Sequence, residues 1–122
     1  METGILKFSL SPKKGIDFFL KTGHISTNTP QAVATFLHDY AKSLDQTAIG
    51  EYLGKEEQYN DGFCVKVLHA YVDMMDFTDL EFDEAIRHYL GGFRLPGEAQ
   101  KIDRFMEKFA ERFCIQNPNI FP

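Results

Sequence analysis

The sequence predicts an all-α fold, and three observations support that prediction. Apolar residues recur at spacings of three and four along most of the chain, which is the period of one helix face. Two stretches begin with a hydroxyl residue followed by proline, at Ser11-Pro12 and Thr29-Pro30, a pair that is typical of a helix start. No stretch alternates apolar and polar residues as a half-buried strand does. We therefore expect about six short amphipathic helices and no sheet.

The first three helices are predicted between residues 11 and 54. The first begins at Ser11 and ends at Gly23, the second begins at Thr29, and the third opens at Ser43 or Asp45 and closes at Gly54. Glycine closes a helix well because it adopts the terminal backbone conformation at no steric cost. The expected buried faces are Ile16, Phe19 and Leu20, then Val33, Phe36, Leu37 and Tyr40, then Ile49, Tyr52 and Leu53.

A polar loop, KEEQYND, separates these helices from the last three. Helical spacing resumes after this loop in the fourth predicted helix, which continues to a break near Asp76. The fifth ends at Gly91-Gly92, because a glycine pair weakens a helix and also leaves room for close backbone approach. The final helix has the longest apolar stripe. The three expected faces are Cys64, Val67, Leu68, Tyr71 and Met75; Phe82, Ala85, Ile86, Tyr89, Leu90 and Phe93; and Ile102, Phe105, Met106, Phe109, Ala110 and Phe113.

Length and composition predict one folded domain. The 122 residues are enough for one domain with a core and too few for two, so we expect a single domain over residues 1–122. Hydrophobic residues make up 43% of the chain, which is typical of a globular protein. No apolar run approaches the ~18 residues that cross a bilayer, and METGILKFSL lacks the features of a signal peptide. We therefore expect a cytoplasmic protein, with Lys13 and Lys14 forming a solvated basic face rather than a membrane patch.

Several kinds of site are disfavoured by residue type and spacing. Cys64 and Cys114 have no neighbouring metal ligands, so we expect buried, reduced thiols, and no two histidines stand four apart as in a zinc-binding helix. A calcium loop starting at Asp73 fails because Met75 and Phe77 would offer no oxygen at its third and fifth positions. Residues 39–84 contain twelve acids against three lysines, which argues against nucleic-acid binding. We predict no metal and no cofactor.

The most informative stretch is FRLPGEAQKIDR, residues 93–104, because it places Glu98 just after a Pro-Gly turn at the start of the last helix. An acid in that position is stabilised by the helix dipole by about 0.3–1 kcal/mol, so a purely structural role is open. Arg94, Lys101 and Arg104 either pair with acids of a partner or hold the loop internally. Such a charged tip beside an aromatic helix is suited to contacting another protein.

This stretch and several others resemble the Sec-seven domain, which is found in exchange factors for the small GTPase ADP-ribosylation factor (ARF). The matching segments are PKKGIDFFLKTG, TPQAVATFL, TAIGEYLG, VLHAYVD, DFTDLEFDEAIRHYLGGFRLPGEAQKIDRFMEKFAERF and QNPNIF. Together they span nearly the whole chain. The cytohesins and the large Golgi-type exchange factors are the relatives that the resemblance suggests.

The resemblance implies a right-handed superhelix of α-helices that docks the switch regions of ARF into a hydrophobic groove. It also implies a glutamic finger that enters the GTPase beside the magnesium ion and the β-phosphate, and the match to RLPGEAQ carries that role onto Glu98. Arg94 and Asp103 match family positions that assist the contact. The remaining residues expected to bind the GTPase are Leu95, Pro96, Gly97, Ala99 and Gln100.

The sequence departs from the family because it ends at Pro122, before a second motif whose tyrosine, methionine and asparagine build the other wall of the groove. We therefore expect an incomplete Sec-seven domain that lacks its C-terminal helices. Leaving the apolar stripe of the last helix in water would be too costly, so we expect repacking, self-association or pairing with the missing half to hide it.

Two classes of function remain open. The first is a guanine-nucleotide exchange factor that acts on GDP-bound or nucleotide-free ARF without covalent chemistry. The second is a non-catalytic helical module that binds ARF or dimerises. In either case we expect recruitment to the Golgi, endosomal or plasma membrane through other parts of the parent protein.

Overall fold

The computed structural model describes residues 1–119, which form seven α-helices, one short 3₁₀ helix and no strand. The α-helices are α1 (Glu2–Leu10), α2 (Pro12–Lys21), α3 (Pro30–Asp39), α4 (Gln46–Leu53), α5 (Phe63–Asp73), α6 (Phe82–Leu90) and α7 (Ala99–Gln116). The predicted all-α class is confirmed. Ile120 and Phe121, the last two residues of the matching segment QNPNIF, lie outside the described residues.

The predicted helix starts occur where the sequence indicated, although one cap differs. Thr29 Oγ1 accepts a hydrogen bond from the Ala32 amide at 3.2 Å, and Asp45 Oδ1 accepts one from the Thr47 amide at 2.9 Å. Of the two residues proposed to open α4, Asp45 is therefore the N-cap. Ser11 occupies the N-cap of α2, but its hydroxyl makes no capping hydrogen bond, so that part of the prediction is wrong.

Helix α1 was not predicted from the sequence. This helix buries only Gly4 and Phe8, which is too few residues for a recognisable stripe. Close packing on α2 stabilises it instead: a Cβ on Gly4 would overlap the Phe19 ring, and one on Gly15 would overlap the backbone of Phe8. The two helices form an antiparallel pair, and the described chain has one helix more than expected.

Helix α5 lies at the centre of the array, since it packs against α3, α4 and α7. Helices α1 and α2 both pack against α4, and α6 packs against α7. The predicted polar loop contains the 3₁₀ helix Tyr59–Gly62, which packs on α5. Among residues 1–119, no helix combines the length and the apolar character needed to cross a membrane.

The aromatic stripe of α7 is buried in the core of this chain, which agrees with the first of the three ways expected to hide it, packing within the chain. Phe105, Phe109 and Phe113 are each 0% exposed, and the other members of the stripe are partly buried. The Tyr89 ring of α6 stacks on Phe109 with 5.1 Å between centroids, and its hydroxyl donates to the Phe105 carbonyl at 3.1 Å. Helices α5 and α6 thus cover the stripe, so self-association is not needed to bury it.

Three residues assigned to buried positions are exposed instead. Tyr40 is the C-cap residue of α3 and Phe82 is the first residue of α6, so the helical period does not fix where their side chains lie; they are 40% and 46% exposed. Cys114 follows the buried Phe113 and therefore lies on another side of α7. Cys64 is buried, and both thiols are free, as predicted.

Candidate functional site

The segment that precedes α7 is held against α4 before it reaches Glu98. Phe93 is 3% exposed and anchors the start of the segment in the aromatic core. The Arg94 amide then donates to the Gln46 carbonyl at 3.0 Å, which binds the backbone to the first turn of α4. The chain bends at the next residues, and Glu98 becomes the N-cap of α7. The position of Glu98 is thus determined by α4 as well as by α7.

The carboxylate of Glu98 is not used to cap its helix. Its backbone carbonyl accepts hydrogen bonds from the Lys101 and Ile102 amides, both at 3.0 Å, but its side chain accepts none from the first turn. The side chain is 60% exposed, and its ion pair with Lys101 Nζ is 4.0 Å long. A surface pair of this kind contributes about 0–1 kcal/mol. Within residues 1–119, the N-cap side chains of Thr29 and Asp45 do accept such hydrogen bonds, and at α6 the Glu84 carboxylate accepts one from the Glu81 amide at 3.0 Å.

The three cations near Glu98 have different surroundings. Arg104 points inward, where Nη1 donates to the Lys55 carbonyl at 3.0 Å and Nη2 donates to the Gly54 carbonyl at 2.8 Å. Lys101 is largely covered, with 17% of its side chain exposed. Arg94 is exposed, and its guanidinium has no hydrogen bond or ion pair within residues 1–119. Arg104 therefore holds the loop internally, whereas Arg94 can reach a partner.

The other residues expected to bind a GTPase also reach the surface. Gly97, Ala99, Gln100 and Asp103 are exposed, and Leu95 and Pro96 are partly buried. A hollow of about 400 Å³ lies beside Glu98, and Thr47 and Glu51 of α4 line it together with the loop. Thr47 and Glu51 could not be predicted as part of the site from the sequence, because only the tertiary packing of α4 brings them to it.

Chemically, the site is an exposed carboxylate on a backbone that is fixed by neighbouring helices. No group of three or more His, Cys, Asp and Glu side chains in the described part of the chain is placed to hold a metal ion. A carboxylate in this setting can repel an anion, pair with a cation or accept hydrogen bonds from a partner. The arrangement fits an electrostatic action on a bound macromolecule.

Comparison with known proteins identifies the family. The family model described as the Sec7 domain matches residues 1–122. The chain belongs to the Sec7 domain family. The resemblance to the Sec-seven domain is thus confirmed. Both cytohesins and brefeldin A-inhibited guanine nucleotide-exchange proteins occur among the relatives.

Two curated proteins illustrate the relationship of this Sec7 domain to its relatives. Over 121 residues it is 53% identical to brefeldin A-inhibited guanine nucleotide-exchange protein 2 of Arabidopsis thaliana, and the match covers 99% of this chain and 6% of that protein. It is 50% identical over 121 residues to cytohesin-2 of Homo sapiens, with 99% of this chain and 29% of that protein covered. The chain therefore corresponds to a small part of each relative.

Solved structures agree with this Sec7 domain in fold. The crystal structure of the Sec7p catalytic domain superimposes with a TM-score of 0.90 at 43% identity, over 98% of this chain and 61% of that chain. A structure of ARF1-GDP bound to a Sec7 domain complexed with brefeldin A gives a TM-score of 0.86 at 32% identity, over 93% of this chain and 55% of that chain. The helical arrangement described above is therefore that of a Sec7 domain.

Proposed function

We propose that this Sec7 domain promotes the release of GDP from an ARF-family GTPase, and that Glu98 is the residue that displaces the nucleotide. The placement of Glu98 carries the proposal: its carboxylate is 60% exposed, and it is not used for capping. Relatives support the partner, since one is named a guanine nucleotide-exchange protein and one solved structure contains ARF1-GDP bound to a Sec7 domain.

The proposed action of Glu98 is electrostatic. A carboxylate brought to about 4 Å from a phosphate charge raises the energy of the bound nucleotide by about 4 kcal/mol at an effective dielectric constant of ~20. Since each ~1.4 kcal/mol corresponds to a tenfold change in rate, GDP release would be ~10³-fold faster. The same carboxylate would compete with the nucleotide for the magnesium ion and for the P-loop lysine of the GTPase. The step makes and breaks no covalent bond.

The residues around Glu98 would orient the GTPase. Arg94 and Asp103 are exposed charges of opposite sign on either side of Glu98 in the chain, so they can pair with complementary charges of the partner. Leu95 and Pro96 are partly buried and offer apolar contact. Gly97 has no side chain, and the space beside its Cα is open, since no atom of this chain would lie within 4 Å of a Cβ there. The backbone of the partner could therefore approach at Gly97.

The test is the release of fluorescent GDP from ARF, measured with the chain at stoichiometric and excess concentrations. We expect the wild-type chain to accelerate release and Glu98→Lys to abolish the acceleration, a loss of about 10³-fold. Glu107→Lys is the matched control, since Glu107 is another exposed acid of α7 and the change in charge is the same. Equal loss of activity in both variants would contradict a specific role for Glu98.

The non-catalytic binding module is the alternative outcome of the same experiment. The chain covers 61% of the Sec7p catalytic domain. That these 122 residues catalyse exchange without the remaining part is therefore itself proposed and needs the same test. In that outcome the wild-type chain binds ARF in a pull-down and yet leaves the rate of GDP release unchanged, with Glu98→Lys also without effect. That result would show that the chain binds ARF without catalysing exchange.

A further inference from the structure

We propose that α4 provides a platform that positions the glutamate-bearing loop for exchange, with Gly50, Gly54 and Arg104 as its positioning residues. The α4 platform is the surface formed by Gly50 of α4 and by Gly54, the C-cap residue of that helix. This inference rests on the proposed exchange function, because it explains how the backbone before Glu98 is fixed. None of the three residues needs to touch the GTPase.

Gly50 allows the loop backbone to lie directly on α4. A Cβ at this position would overlap the carbonyl oxygen of Arg94. One turn earlier on the same helix, the Gln46 carbonyl accepts the Arg94 amide at 3.0 Å. Both backbone groups of Arg94 therefore face α4, while its side chain is exposed. A glycine in the interior of a helix weakens the helix, and the packing of the loop gives that weakness a structural reason.

Gly54 provides the second contact, one turn further along α4. A Cβ on Gly54 would lie 3.0 Å from Pro96 Cγ and 3.3 Å from Phe105 Cε2, which is closer than an ordinary van der Waals contact. Pro96 stands two residues before Glu98, and Phe105 belongs to the buried face of α7. The two glycines thus allow the loop backbone to pack on α4 at Arg94 and the Pro96 ring to pack beside Gly54.

Arg104 fixes the same end of α4 from α7. Its guanidinium donates to the carbonyls of Gly54 and Lys55, which are at the C-terminal end of α4. Carbonyls at that end lack partners within the helix and carry the negative end of its dipole, so an arginine is well suited to bind them. Since Glu98 is the N-cap of α7, this contact ties the first turns of its helix to the platform.

These contacts leave the carboxylate free while they fix the backbone that carries it. Catalytic groups work when their supporting backbone is held in place, and a displacement of about 1 Å can reduce a rate ~10²-fold. A loosened platform should therefore slow nucleotide release at saturation more than it weakens binding. This difference between the release rate at saturation and the half-saturating concentration distinguishes a positioning role from simple loss of a contact with the GTPase.

Gly50→Ala tests the platform directly. Alanine favours the helix itself, so any defect must come from the overlap with Arg94. We expect the release rate at saturating chain to fall by about 10- to 100-fold, while the half-saturating concentration changes less than about threefold. Gly91→Ala is the matched control, because a Cβ there would lie 3.4 Å from its nearest neighbour and is accommodated. A folded Gly50→Ala chain with wild-type exchange would overturn the proposal.

Arg104→Gln tests the same platform without a steric clash, and it decides the question if Gly50→Ala fails to fold. The control is Arg112→Gln, since Arg112 lies two turns later on α7 and donates in the same way to the Met75 carbonyl, at 3.2 and 3.3 Å. Both variants lose an anchor to a carbonyl, but only Arg104 is tied to α4. We expect the GDP release rate at saturating chain to fall by about tenfold for Arg104→Gln and not for Arg112→Gln. Arg104→Lys should retain part of the rate that Arg104→Gln loses. Equal effects of the two glutamine variants would contradict a positioning role.

Loop mobility provides a readout that does not depend on the GTPase. A nitroxide attached through Gly97→Cys in a Cys114→Ser background would report mobility, since the space beside residue 97 is open and Cys64 is buried. We expect a broader, less mobile spectrum for the parent chain than for Gly50→Ala or Arg104→Gln. If the parent chain shows no exchange but the spectra change as described, the exchange function fails and the platform stands. If exchange depends on Glu98 but neither variant alters the rate or the spectrum, the platform alone is wrong.

Discussion

Glu98 and Asp45 both occupy helix N-caps, but their carboxylates have different surroundings. Asp45 accepts hydrogen bonds from two amides of α4, whereas the Glu98 side chain accepts none from α7 and is 60% exposed. The capping residue contributes to stability, and the exposed one is available for function. Stability and exchange should therefore respond differently to removal of the two charges.

We predict that Glu98→Gln lowers the free energy of unfolding by no more than about 1 kcal/mol, because it removes a 4.0 Å surface ion pair and a favourable but exposed charge at the helix N-terminus. Asp45→Ala should destabilise the chain by about 0.5–2 kcal/mol through the lost cap. Urea unfolding followed by circular dichroism measures both. A Glu98→Gln chain as unstable as Asp45→Ala would mean that Glu98 has a structural role.

The two cysteines should differ in reactivity. Burial raises the pKa of the Cys64 thiol to about 11, so almost no thiolate forms there at pH 8, whereas Cys114 is exposed. We predict that the native chain takes up one equivalent of a maleimide at pH 8 and a second only in denaturant, as counted by mass spectrometry. Rapid labelling of Cys64 in the native chain would show that the core around it opens readily.

At the scale of the helices, the sequence predicted those that have a strong apolar stripe or a side-chain cap. Helices α2 to α7 follow the three-and-four spacing, and Gly54 closes α4 as expected. Helix α1 could not be predicted because Gly4 and Phe8 make a weak stripe and its partner α2 supplies the stabilisation. The way in which the α7 stripe is hidden could not be predicted either, since burial depends on how α5 and α6 pack and not on spacing within α7.

The buried stripe predicts a large stability effect. Phe109→Ala should destabilise the chain by about 3–5 kcal/mol, because Phe109 is 0% exposed and stacks on Tyr89. Glu107→Ala, on an exposed position of the same helix, should change stability by no more than about 0.5 kcal/mol. Thermal unfolding of both variants is the measurement. A Phe109→Ala chain as stable as the wild type would show that the stripe is not packed in solution.

At the scale of the whole molecule, the site depends on a contact between segments that are distant in the chain. The family motif placed Glu98 at the tip, but the spacing of residues gave no indication that Arg94 lies on Gln46 and Gly50. The alternative roles of Arg104 were likewise open until the structure placed its guanidinium on α4. Local patterns predict elements, whereas tertiary packing decides which backbone groups meet.

The packing of the whole chain also predicts weak binding of a hydrophobic dye. The large aromatic side chains of α7 are buried, and the exposed large hydrophobics within residues 1–119 come from several different elements. We expect little dye fluorescence with the native chain and an increase when mild denaturant loosens the core. Strong dye binding without denaturant would contradict the burial of the stripe.

In the proposed mechanism, the Glu98 carboxylate enters the nucleotide site of an ARF-family GTPase. A crystal structure of this chain bound to nucleotide-free ARF would give the distances from the carboxylate to the P-loop lysine and to the position of the β-phosphate. We predict that the carboxylate lies within about 4 Å of that position, the separation at which its repulsion accounts for rapid release. A complex in which Glu98 turns to solvent, or lies far from the phosphate site, would contradict the claim.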